Sequence, residues 1–204
     1  MRPPRIMPIT PGSTTDSELP RLFGDLRRLL AGGGEGVLLR EPLLSDKAFL
    51  ELGLFARELF RGGWLGVHDK VHVALACDAD AVHLGYRSLS PAVAKAVSAG
   101  SLSVGHSQHA PELGSEEMDA DYRLLGPVFP TPSKAGLVDP IGLDCLSSLP
   151  MAARTWAVGG VGPKDVAAVL GAGVAGVACI GSVFGEGDPE AGIGLMLEAA
   201  ACRA

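Results

Sequence analysis

Short apolar runs alternate with longer segments of helical spacing along the whole chain. Arg5–Thr10 reads as a short strand closed by Pro11-Gly12. Asp16–Leu30 follows as a helix, with Asp16 or Ser17 as its cap. The same pair recurs as Glu35–Arg40 with Ser45–Phe60, Trp64–Asp69 with Val71–Cys77, and Ala81–Gly85 with Ser90–Ala99, where Pro91 suits a first helical turn. It continues as Leu102–Ser107 with a helix near Ala110–Met118, then Tyr122–Phe129 with Gly142–Leu149. Thr155–Gly160 with Pro163–Leu170, and Gly176–Phe184 with a helix from Asp188 to about Ala201, complete the series.

Strict strand–helix alternation predicts a parallel sheet, because parallel strands need a crossover. Eight such units in 204 residues predict an α/β chain closed into a (β/α)8 TIM barrel, a single domain over 1–204. A doubly wound open sheet is the alternative, but no GxGxxG follows the first strand. Apolar helical positions such as Phe49, Leu52, Phe55, Ala56 and Leu59 read as barrel packing.

Composition narrows the partners. Apolar residues make up 47% and charged residues 20%, enough for a sizeable core. A net charge of −6 without a lysine or arginine block argues against nucleic acid. The 28 glycines and 15 prolines punctuate the chain rather than cluster, as many short turns require. No stretch approaches a membrane span, and MRPPRIMPITPGS lacks an apolar core of signal-peptide length, so no membrane partner and a cytoplasmic location are expected. Cys77, Cys145, Cys179 and Cys202 form no CxxC pair and are expected as buried free thiols. A homo-oligomer is compatible with everything above.

In a barrel, chemistry sits at the C-terminal ends of the strands. Here those ends carry Arg40, His68-Asp69, Gly85, Ser107, the loop Gly126–Gly136, Gly159-Gly160 and Ile180-Gly181-Ser182. The loop GPVFPTPSKAG combines Thr131, Ser133 and Lys134 with glycine. Hydroxyls and freed N–H groups supply directed hydrogen bonds there, and lysine supplies charge, as a phosphate cradle needs. The alternative is a proline-rigid surface loop. AVGGVGP and CIGSVF follow the last two strands, where such barrels commonly hold phosphate. A phosphorylated small molecule is therefore the expected ligand. All five histidines lie between His68 and His109. His68, Asp69 and His72, or His106 and His109, could share a metal, though zinc needs tetrahedral convergence. The alternative places His72 on a helix surface, packs His106, and makes His83 a hydrogen-bonded core histidine. Arg40-Glu41 either meets a ligand or forms an ion pair.

The segments LLREP (Leu38–Pro42), HDKVHVALACDADAVHLG (His68–Gly85), GHSQH (Gly105–His109), DADYRLLGPVFPTPSKAG (Asp119–Gly136) and AVGGVGPKDVAAVLGAGVAGVACIGSVF (Ala157–Phe184) carry a resemblance. In that order, over nearly the whole chain, they resemble the thiamine phosphate synthase/TenI superfamily and its (β/α)8 barrel. The synthase joins a hydroxymethylpyrimidine diphosphate to a thiazole phosphate. Magnesium helps to expel pyrophosphate, and the thiazole nitrogen captures the pyrimidine cation. Matched by motif, the resemblance makes Arg40, Asp69, Ser107, Thr131, Lys134 and Gly160 ligand-binding positions, with Ser133 keeping a hydroxyl and Ile180, Gly181 and Ser182 closing the last strand.

The departures from the synthase pattern cluster. QLREK reads LLREP, so its glutamine and lysine are Leu38 and Pro42. The asparagine before the metal aspartate is His68, and the second metal aspartate falls on Ser88. Asp69 alone leaves a weak magnesium site, since magnesium wants hard oxygen ligands. Two lost charge-assisted contacts, at roughly 1.5–3 kcal/mol each, remove about 10²- to 10⁴-fold in rate if they act in the transition state.

That pattern resembles the TenI branch, as do RSLSP and GHSQH, and that branch includes thiazole tautomerases that need an acid/base group and no metal. Their sixth-strand histidine is Pro127 here, so His68, Asp69 and His109 become the catalytic candidates. The expectation is thus a TenI-like protein binding a thiazole phosphate, with tautomerase activity. One alternative is a diverged synthase, with magnesium as its only cofactor. The other is a non-catalytic phosphate-ligand binder.

Overall fold

The structure, a computed structural model, describes residues 1–108, 119–131, 138–149, 152–185 and 187–202. Its strands are β1 (Ile6–Pro8), β2 (Gly36–Leu39), β3 (Trp64–His68), β4 (Ala81–Leu84), β5 (Ser103–Gln108), β6 (Tyr122–Leu125), β7 (Thr155–Val158) and β8 (Gly176–Cys179). All pair in parallel in the order β1-β8-β7-β6-β5-β4-β3-β2. A bridge between Ile9 and Leu38, and the Thr10 N–H donated to the Leu38 carbonyl at 3.1 Å, bring the ends together. The sheet is a nearly closed (β/α)8 TIM barrel, as the alternation predicts.

The helices are α1 (Leu19–Ala31), α2 (Asp46–Leu59), α3 (Val71–Ala76), α4 (Pro91–Val97), α5 (Gly142–Ser147), α6 (Pro163–Gly171), α7 (Gly181–Phe184) and α8 (Pro189–Ala201). Ser45 caps α2, its hydroxyl accepting from the Ala48 N–H at 3.2 Å. Asp16 does not cap α1. It opens a 3-10 turn instead, and its carboxylate accepts from the Ser45 hydroxyl and N–H at 2.7 and 2.9 Å. That contact ties the starts of α1 and α2 together.

Two apolar runs end sooner than their hydrophobicity suggests. The run expected through Phe129 leaves the sheet at Gly126-Pro127, where proline offers no N–H to the ladder. The run expected as one strand through Phe184 stops at Cys179. There the Val183 and Phe184 N–H groups turn back to the Ile180 carbonyl at 3.1 and 2.7 Å and form α7. The helix expected near Ala110–Met118 lies outside the described residues.

The core has two shells. Between strands and helices, Leu22, Leu26 and Leu29 of α1 pack with Phe49, Leu52 and Ala56 of α2. Burial of each large side chain contributes about 1.5–3 kcal/mol. Phe55 and Leu59 are only partly buried, and Phe55 stacks on Phe23 at 4.2 Å between centroids. Inside the barrel, Met7, Leu38, Trp64, Tyr122, Leu124 and Trp156 form the second shell. Tyr122 meets Trp64 and Trp156 edge-on at 6.2 and 5.8 Å. Gly66, Gly105 and Gly176 face these rings, and a Cβ at any of them would collide with Trp64, Tyr122 or Trp156 respectively.

Burial pushes the Cys77 and Cys179 thiols up to about 11 and 12, as inert core cysteines behave. Cys145 is half-buried, and Cys202, past the last turn of α8, is exposed, contrary to the expectation of four buried thiols. No helix of the described residues is long and apolar enough to cross a membrane.

Candidate functional site

A cavity of about 360 Å³ opens over the C-terminal ends of β2 to β5. Arg40, His68, Asp69 and Ser107, drawn from three strand ends far apart in sequence, line it together with Ser88. Gly160, Ile180, Gly181, Ser182 and Thr131 stand at the ends of β6 to β8 on the same side of the barrel, but do not line this cavity. His109, Ser133 and Lys134 lie outside the described residues.

Each side chain has a local reason for its place. Arg40 follows β2, where its N–H donates to the Thr10 hydroxyl at 2.7 Å. Its guanidinium covers Gly12, at φ 82°, where a Cβ would strike Nη1. Asp69 ends β3 in a left-handed turn, φ 69°, a conformation that aspartate tolerates better than most residues. Its N–H donates to the His83 carbonyl at 2.8 Å, which aims the carboxylate off the sheet. The His68 ring and the Ser88 hydroxyl flank Gly85, each 3.7 Å from where a Cβ would stand, and the Gly85 N–H donates to Ser88 at 2.8 Å.

Ser107 Oγ shares a 2.8 Å hydrogen bond with His83 Nε2. His83 is fully buried beside the Tyr122 ring, at 5.5 Å, so the sequence alternative of a hydrogen-bonded core histidine holds. Burial keeps His83 well below its ordinary pKa, and burial lowers that of His106. His68 falls to about 4, through burial first and then the nearby Arg40 charge, with Asp69 opposing. It is therefore neutral near pH 7.

Glu41 corrects the simple ion-pair reading of Arg40-Glu41. Its buried carboxylate accepts from the Gly12 and Thr14 N–H groups at 3.0 and 2.9 Å, and among the described residues it forms no ion pair with Arg40. The pattern of a carboxylate one residue past a strand end, facing the loop TPGST, carried that signal. Lys70 on the cavity rim pairs with Asp46 of α2, and exposed His72 approaches Asp46 at 3.5 Å. Arg87, also on the rim, lies over the Tyr86 ring at 5.4 Å. In the sequence Arg87 is read only as the first residue of RSLSP and is assigned no ligand, although a cation beside a missing carboxylate was the available signal.

At the other ends, Gly159 and Gly160 take φ of 91° and 72°, and a Cβ on them would strike Pro127 and Phe129. The β7 end can therefore lie flat against the β6 loop, with the Val128 and Phe129 N–H groups donated to Val158 and Gly159 at 3.0 and 3.1 Å. Gly181 faces open space, whereas the Ser182 hydroxyl donates to the Val161 carbonyl at 2.7 Å and ties α7 to the β7 loop. Ile180 packs against the inner shell.

The family model described as thiamine monophosphate synthase matches residues 6–183. The chain belongs to the thiamine monophosphate synthase family. It is 37% identical over 167 residues to a putative thiamine-phosphate synthase of Geobacter sulfurreducens, covering 79% of this chain and 78% of that one. It is 34% identical over 181 residues to the thiamine-phosphate synthase of Archaeoglobus fulgidus, covering 86% of each. Among solved structures, thiamine phosphate pyrophosphorylase from Pyrococcus furiosus superposes with a TM-score of 0.81 at 30% identity, over 96% of this chain and 95% of that one. The family implies phosphorylated small-molecule substrates. These relatives favour the synthase alternative over the tautomerase expectation.

Magnesium, implied by the synthase resemblance, finds a poor donor set here. Asp69 is the one cavity carboxylate with no described hydrogen bond, because both Glu41 oxygens already accept backbone N–H groups. Ser88 supplies a hydroxyl where a second carboxylate would stand, and Arg40, Lys70 and Arg87 surround the space. No group of three His, Cys, Asp or Glu side chains among the described residues converges as a metal site, which removes His68, Asp69 and His72 as a trio. These residues do not fit a two-carboxylate magnesium centre.

Proposed function

We propose that the chain is a transferase of the thiamine-phosphate synthase kind, joining a hydroxymethylpyrimidine diphosphate to a thiazole phosphate. The observation that carries the reading is the charged cavity over β2 to β5, which shares one barrel face with the glycine-bearing ends of β6 to β8. We assign one substrate to the cavity and the other to those ends. A reaction between two phosphorylated molecules needs two such places side by side, with the reacting centre between them.

In this assignment the diphosphate lies in the cavity against Arg40, and Ser107 holds the pyrimidine with its hydroxyl fixed by His83. Thr131, Gly160, Ile180, Gly181 and Ser182 are assigned to the thiazole phosphate, as are Ser133 and Lys134 by the motif resemblance alone. The methylene C–O bond breaks with its electron pair leaving on pyrophosphate. The ring-nitrogen lone pair of the thiazole then forms the C–N bond, so no proton needs to move. A neutral His68 beside the cavity suits such chemistry, because it neither adds positive charge near the developing cation nor consumes a proton.

A thiazole tautomerase has less support. It requires a group that exchanges protons near neutrality, and of the candidates His68, Asp69 and His109, His68 is lowered to about 4 and is a weak base there, while His109 lies outside the described residues. The test is incubation with each substrate alone and with both, followed by chromatography and proton NMR. Thiamine phosphate and pyrophosphate should appear in equal amounts only when both substrates are present. Isomerisation of a thiazole carboxylate phosphate alone would replace the transferase with the tautomerase. Binding of thiazole phosphate without any product would leave a binder.

A further inference from the structure

We propose that the cavity over β2 to β5 grips a diphosphate directly through Arg40 and Arg87, without a divalent cation. The inference rests on the transferase reading and adds to it how the leaving group is held. Family resemblance implies a metal that two carboxylates would hold beside the diphosphate, and this chain lacks one of the two. Ser88 replaces one carboxylate, and Glu41 spends both oxygens on the Gly12 and Thr14 N–H groups. Where negative ligands are missing, positive ones stand.

Arg87 lies in the same short turn as Ser88, on the cavity rim, with its guanidinium over the exposed Tyr86 ring. Arg40 lines the same cavity from the end of β2, its Nη1 lying where a Cβ on Gly12 would stand. Among the described residues neither guanidinium donates to a carboxylate or a carbonyl, so no described residue occupies either donor fork. Lys70, by contrast, is already paired with Asp46.

A planar guanidinium fork matches two phosphate oxygens at once and stays charged at any working pH. Two of them lining one cavity offset most of a diphosphate's charge without displacing tightly held metal water. During turnover the electron pair of the broken C–O bond ends on the pyrophosphate oxygen, and the two arginines balance the charge that accumulates there. No proton or further reactant is required.

The test is calorimetric titration of the full chain with inorganic pyrophosphate, in excess EDTA and again with magnesium. Binding should survive EDTA. Arg87→Ala should weaken it roughly 10- to 100-fold, as loss of a charge-assisted bidentate contact does, and Arg87→Lys should recover part of that. Ser88→Asp, which returns a carboxylate, should weaken binding in EDTA and make it respond to magnesium. Pyrophosphate binding by the natural chain only with magnesium would overturn the inference, and so would an Arg87→Ala variant that binds equally well. The transferase reading is judged separately by the two-substrate assay. Thiamine phosphate formed only with magnesium would keep that reading and discard this one. Metal-free pyrophosphate binding without coupling would do the reverse.

Discussion

His68 shows how far a single residue's chemistry departs from its type. Its imidazole is held near a pKa of about 4, against about 6.5 in an unfolded chain. Between those values the unfolded chain takes up a proton that the folded chain refuses. Stability is therefore fully present above pH 6.5 and falls as the pH drops towards 4. His83 and His106, both lowered by burial, act in the same direction. Urea unfolding from pH 7.5 to 4.5 should show this decline, and His68→Asn should make it shallower. In proton NMR the His68 ring signals should stay fixed above pH 5.5. The position of this histidine at a strand end was legible from the sequence. Its charge state was not, because the burial and the Arg40 charge that set it come from β2, nearly thirty residues earlier. The same is true of His83, whose motif says "strand" and whose partner Ser107 appears only once β4 and β5 are side by side.

Among elements, the joints matter more than the strands themselves. Glu41 fastens the end of β2 to the loop between β1 and α1, and two backbone N–H groups depend on it. Glu41→Ala leaves a buried and a half-buried donor unpaired and should destabilise the fold by roughly 2–4 kcal/mol, measured by denaturant unfolding. Glu41→Gln, which keeps one acceptor oxygen, should cost less. The variant should also bind pyrophosphate more weakly, because Gly12 underlies Arg40. Most elements were legible from apolar spacing and capping residues. α7 was not, since GSVF continues an apolar run and only the returning bonds to the Ile180 carbonyl separate helix from strand. The loop Gly126–Gly136 illustrates the converse case. Its chemistry stands out in the sequence, while Ser133 and Lys134 fall outside the described residues.

At the scale of the whole molecule, the barrel's interior is set by three large rings facing three glycines. Gly105→Ala would press a methyl group into Tyr122 and His83, and overpacking of this kind typically costs 1–3 kcal/mol. A melting temperature lowered by roughly 2–10 °C, with Ser107 displaced through His83, is the expected outcome, read by calorimetry. The (β/α)8 architecture was legible because each strand–helix pair announces itself locally. The inner shell was not, since Tyr122, Trp64 and Trp156 meet only when the sheet curls. One joint of that curl differs from the others. β1 and β2 meet through the Ile9–Leu38 bridge and the Thr10 N–H, whereas every other neighbouring pair carries a run of at least three registered residues. The stave beside this gap is β2, and Arg40 follows directly on β2. Deuterium exchange at the Thr10 amide should therefore be fast for a barrel strand and should slow when pyrophosphate is bound. A ligand that holds Arg40 would then act as the hoop that the hydrogen bonds leave unfinished.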